Sequence, residues 1–171
     1  MNETAIKTVT CVGCGAVVPD VDVPGHRYLG SAPGCWQLFG EVLAREYSDF
    51  RYGRAHGLTV DAYAVQHPGE PSPHAIASVA LHLQRLHWVL ELGYDNQRAT
   101  RAMQRAAERK REYSWLEPPS SVGSITVLAV HAAPGPDEHV ERVRAWAEEA
   151  WKVWHIHHAT VRGWALLAEP R

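Results

Sequence analysis

Hydrophobic positions along this chain fall into two regimes that meet near Trp36. Beyond it, apolar residues recur three and four apart, the period of helices that bury one face. Trp36, Phe39, Val42, Leu43 and Tyr47 mark a first helix that reaches about Ser48. A polar link, DFRYGRAHG, leads to Leu58-Thr59. Thr59 has N-cap chemistry, with Leu58 and Tyr63 spaced as a hydrophobic staple. This predicts a short helix from Val60 to about His67, stopped by Pro68-Gly69. Ser72-Pro73 opens the next helix, whose buried stripe is Ile76, Val79, Ala80, Leu83, Leu86 and Leu90, and Gly93 ends it.

Asp95 caps a helix of opposite character, NQRATRAMQRAAERKRE, with only Ala99, Met103 and Ala106 as its apolar face. The run SITVLAV fits either a buried strand or one helical turn capped by Thr126, since period alone does not decide so short a segment. Gly135-Pro136 starts the last helix, and Asp137 and Glu138 sit at its positive end. Its stripe of Val140, Val143, Ala147, Trp151, Trp154, His158, Val161 and Ala165 predicts an unbroken helix to about Leu167.

Before Trp36 the pattern is different. Ile6, Thr8 and Thr10 alternate as in a short strand, and Ala16 to Val23 suits a second. The stretch CVGCGAVVPDVDVPGHRYLGSAPGCW, residues 11–36, carries all three cysteines of the chain among turn-forming glycines and prolines. The expected architecture is therefore mainly α: a bundle of about four to five helices with an N-terminal zinc-knuckle-like loop head. Head (residues 1–35) and body (36–171) are expected to form one domain, because the head is too short to bury a core of its own.

Cys11-Val12-Gly13-Cys14-Gly15 has the geometry of a knuckle in which both sulfurs point at one ion. A redox pair would open a helix, and Gly15-Ala16-Val17-Val18-Pro19 does not. Cys35 is the natural third ligand once the head folds back. His26, twelve residues after Cys14, is the nearest fourth, and a histidine from the helical body is the other source. The expected cofactor is zinc, held by Cys11, Cys14, His26 and Cys35.

Eleven histidines and seven tryptophans are the other unusual feature. Asp61, His67, His82 and His158 lie on three predicted helices, and if they converged inside a bundle they would make a catalytic metal site. Taken singly, each histidine reads as a core residue with hydrogen-bond partners. Trp146, Trp151, Trp154 and Trp164 are either an aromatic wall or core, and the cationic stretch from Arg98 to Arg111 is either a contact face or solvated surface. A net charge of −2 argues against nucleic acid as the partner. No apolar run spans a bilayer and MNETAIKTVT has no signal-peptide core, so no membrane partner and a reducing cytoplasm are expected.

The Cys-Xaa-Xaa-Cys-Gly head, His26-Arg27-Tyr28 through Ser31-Ala32-Pro33-Gly34-Cys35-Trp36, the Thr59–Gly69 phrase TVDAYAVQHPG and Trp115-Leu116-Glu117-Pro118-Pro119 resemble an uncharacterised bacterial domain of unknown function. The resemblance covers most of the chain and implies no activity. A looser likeness, of architecture only, is to metal-binding four-helix-bundle proteins of the DinB type, which lack such a cysteine head. The reading is a zinc-bound module acting through a protein partner or self-association. The alternative is a metal-dependent hydrolase or transferase using the bundle histidines, its small-molecule substrate unknown.

Overall fold

The computed structural model describes residues 7–169; Ile6, expected to begin the first strand, lies outside them. Two short strands, β1 (Thr8–Thr10) and β2 (Val17–Pro19), pair antiparallel with Val9 opposite Val18. The hairpin loop between them is the cysteine knuckle. Cys11 N–H donates to Ala16 O and Gly15 N–H to Cys11 O, and Gly15 takes the left-handed φ of 73° that this tight closure needs.

The regular elements after the head are all helical in the described residues: α1 (Pro33–Ser48), α2 (Phe50–Gly53), α3 (His56–Gln66), α4 (Pro73–Leu86), α5 (Asn96–Glu108), α6 (Val127–His131), α7 (Pro136–Val153) and α8 (His158–Leu167), with residues 109–126 forming an irregular connection between α5 and α6. The fold is mainly α, as the hydrophobic period requires. Ser72 and Asp95 cap α4 and α5 as their side chains predict, accepting from Ala75 N–H and Arg98 N–H. The ambiguous SITVLAV run resolves into helix α6, with Thr126 accepting from Leu128 N–H. A π-turn, His87–Glu91, extends α4.

Two boundaries differ from expectation. α3 begins at His56 rather than Val60, and Thr59 is inside it instead of capping it. The reason is the buried carboxylate of Glu46 on α1. Thr59 Oγ1 donates to it at 2.5 Å, and His56 Nδ1 and His139 Nε2 lie 2.8 Å from its two oxygens. A buried carboxylate demands such donors. Drawing them from α3 and α7 winds α3 one turn further back.

The last helix is also interrupted. A 3-10 turn, His155–His157, separates α7 from α8, and His158 Nε2–H donates to the carbonyl of Trp151 at 2.9 Å. That ring satisfies a carbonyl at the end of α7, the need every helix terminus creates.

α3 packs between α4 and α7, and two indoles from α7 and its C-cap hold it, while a third ties α7 to the π-turn. Trp146 Nε1–H donates to Gln66 Oε1 (3.1 Å), and Trp154 Nε1–H to Val65 O (3.2 Å). Trp151 Nε1–H reaches Glu91 Oε1 (3.1 Å) on the π-turn. Gln66 in turn donates to Val122 O and Ile125 O, pinning the loop before α6. These tryptophans are core, with polar tips used as fasteners. They fix the C-terminal end of α3. Cys11, Cys14, Val18 and Cys35 of the head belong to the same buried cluster as Tyr63, Leu83 and Trp146 of the body.

Candidate metal centre

Four side chains converge where the head meets the end of α3. Cys11 and Cys14 come from the knuckle, Cys35 from the first turn of α1, and His67 from the residue that terminates α3. Their ligand atoms all lie within 4.8 Å of one another, and all four residues are buried. Cys14 Sγ to Cys35 Sγ is 3.8 Å and Cys35 Sγ to His67 Nε2 is 3.5 Å. A tetrahedron with zinc–sulfur bonds of about 2.3 Å and a zinc–nitrogen bond of about 2.0 Å has S–S and S–N edges of about 3.8 and 3.5 Å. Those two edges fit zinc.

Local chemistry prepares the ligands. His67 Nδ1–H donates to Tyr63 O at 2.8 Å, which fixes the tautomer and leaves Nε2 for the ion. Ala32 N–H donates to Cys11 Sγ at 3.4 Å, and Tyr63 O–H to Cys35 Sγ at 3.5 Å, contacts that favour thiolate. Tyr63 stacks on His67 (4.0 Å between centroids) and on Phe39 (3.8 Å), so the imidazole plane is set by packing. Gly13 lets the knuckle close on the site, since a Cβ there would collide with Gly30 O and the His67 ring. Gly30 N–H also donates to His67 O at 3.2 Å, tying the loop to the end of the helix.

The sulfurs share protons unequally. Hydrogen bonds from Cys14 and Cys35 push the Cys11 thiol far down, and the same sharing with Cys11 and Cys14 pushes Cys35 far up. Burial opposes a charge on His67, but hydrogen bonds with Cys11 and Cys14 outweigh it and carry its pKa up to about 9. A divalent ion competes with these protons for all four atoms.

His26 is not the fourth member. Its Nδ1 accepts from Tyr28 N–H (3.2 Å) and Leu29 N–H (3.1 Å), so it shapes the loop instead. Burial and neighbouring Arg27 lower its pKa. Sequence proximity pointed to the wrong histidine because the loop spends His26 on its own backbone. His67 reaches the three sulfurs only through the packing of α3.

The second predicted set does not gather. His67 joins the cysteines, while His158 stacks on Trp151 at 3.7 Å. Asp61 and His82 do meet, at 2.8 Å, but Asp61 is also paired with Arg85 at 2.5 Å. Among the described residues, the cysteine–histidine set is the one group of four positioned to hold a metal.

Comparison with known proteins agrees with the resemblance. Residues 9–155 match a family of unknown function, DUF5946. The chain belongs to that family. No curated protein and no solved structure matches it. The span matched by DUF5946 takes in Cys11, Cys14, Cys35 and His67 and the α3–α7 packing that aligns His67. No described helix is long and apolar enough to cross a membrane.

Proposed function

We propose that this DUF5946 protein is a binding module clasped by one structural zinc on Cys11, Cys14, Cys35 and His67. The observation that carries this reading is the closed donor set: four buried protein ligands at tetrahedral spacing, with nothing left for water. Catalytic zinc keeps an open position, whereas Cys3His sites are structural. Three thiolates and an imidazole suit zinc over magnesium or calcium, which prefer oxygen.

The ion's role is mechanical. It joins the hairpin, α1 and α3, three segments far apart in sequence, and offsets the entropy of ordering a head with little core of its own. Of the two surfaces the sequence offered to a partner, the tryptophans of α7 are consumed by the core. The exposed side of α5, with Arg98 and Arg101, remains, and it suits an acidic protein partner. A hydrolase built on Asp61, His67, His82 and His158 has no support from their placement.

Elemental analysis of protein purified without added metal tests the reading, with one zinc per chain expected. Cys35→Ser should abolish it. A stoichiometry near zero in the wild-type chain sinks the proposal.

A further inference from the structure

A separate cleft, with a cavity of about 660 Å³, opens between the start of α4, the head loop and the segment after α5. That volume falls in the range of small-molecule sites. Lys110, Arg111, His74 and His82 line it, and no carboxylate does. Among the described residues neither Lys110 nor Arg111 forms an ion pair. The first turn of α4 also faces the cleft, adding the positive end of a 14-residue helix.

The other walls are aromatic and apolar. Tyr28 and His74 stack with centroids 5.7 Å apart and planes 22° from parallel, and Tyr113 also lines the cleft. Ile76 and Leu81 complete the lining.

One group in the cleft is held from behind by buried machinery. His82 Nδ1–H donates to Asp61 Oδ1, and Asp61 is 1% exposed. The charge of Asp61 is balanced by buried Arg85, whose other arm is held by Asn96. His82 is thereby locked in one orientation and tautomer, and its hydrogen bond within the described residues uses Nδ1, leaving Nε2 available. Preorganised polar groups on an apolar wall are what ligand sites present.

We propose that this cleft binds a small anion carrying a planar ring. The ring stacks against Tyr28 and His74, the anionic group sits by Lys110 and Arg111, and His82 Nε2 accepts a hydrogen bond from a ring or hydroxyl donor. Nucleotides and aryl carboxylates share this chemistry. The inference does not rest on the zinc reading, since none of these residues is a proposed ligand.

Calorimetric titration of the full chain, as purified, tests it with three probes: adenosine 5′-monophosphate, 2-naphthoate and inorganic phosphate. At least one ring-bearing probe should saturate a single site about 10-fold or more tighter than phosphate. Binding of the nucleotide alone or the naphthoate alone identifies the source, and binding of both supports the shared chemistry. The double variant Lys110→Gln/Arg111→Gln removes exposed, unpaired charges and should fold normally, yet weaken the bound probe about 10-fold. His82→Gln should weaken it too, with zinc content unchanged. Absence of saturable binding by both ring-bearing probes overturns the proposal. So does phosphate binding as tightly as they do, or unchanged affinity in the double variant.

Discussion

His67 and His26 show how one side chain's role is set by what its second nitrogen does. His67 gives Nδ1–H to a carbonyl of its own helix and presents Nε2 to three sulfurs. His26 turns Nδ1 back onto its own loop. The variants should separate cleanly. His67→Ala should lose zinc, or hold it far more weakly, as released on titration with a chromogenic chelator. His26→Ala should keep one equivalent. His158→Gln should also keep it and cost about 1 kcal/mol in denaturant unfolding, the usual worth of a hydrogen bond such as the one to Trp151 O. Zinc loss in the His26 or His158 variant would contradict the assignment.

Between elements, Glu91 gathers partners from several helices at one carboxylate. From the π-turn it receives Arg162 of α8 (2.6 Å), Trp151 of α7 (3.1 Å) and His87 (2.7 Å). Hydrogen bonds from Arg162, more than those from His87 and Trp151, lower its pKa to about 2 against the burial that opposes them. A carboxylate whose folded pKa is depressed stabilises the protein above its unfolded value and loses that contribution as pH falls through the folded one. Glu91→Gln should therefore be less stable by about 1 kcal/mol at neutral pH, discounted for its partial exposure. The gap should close between about pH 4.5 and 2. Equal gaps at pH 7 and pH 2.5 in urea unfolding would rule this out.

At the scale of the whole molecule, the head and body share one buried cluster, so a metal held by the proposed site would stabilise more than the head. Chelation should release the hairpin and also loosen the end of α3, where Tyr63 and His67 stack, and with it the indole contacts of α7. Hydrogen exchange after chelator treatment should show lost protection at Cys11–Cys35 and Tyr63–His67 together. Loss confined to the first thirty-five residues would mean that the body stands without the clasp.

Most of the helical layout was legible in the chain because amphipathic period, Ser72 and Asp95 caps, and Pro68-Gly69 and Gly93 stops are local signals. Three members of the candidate metal site were legible for the same reason: Cys11 and Cys14 announce a knuckle by spacing, and Cys35 is the one other cysteine. The start of α3 and the break after Val153 were not, because each goes with a side-chain contact that hydrophobic period does not encode: Glu46 for Thr59, and the Trp151 carbonyl at the end of α7 for His158. The fourth member of the candidate site belongs to the same class. No local pattern distinguishes His67 from ten other histidines. Only the packing of α3 between α4 and α7, fastened by Trp146 and Trp154, carries its ring to the sulfurs.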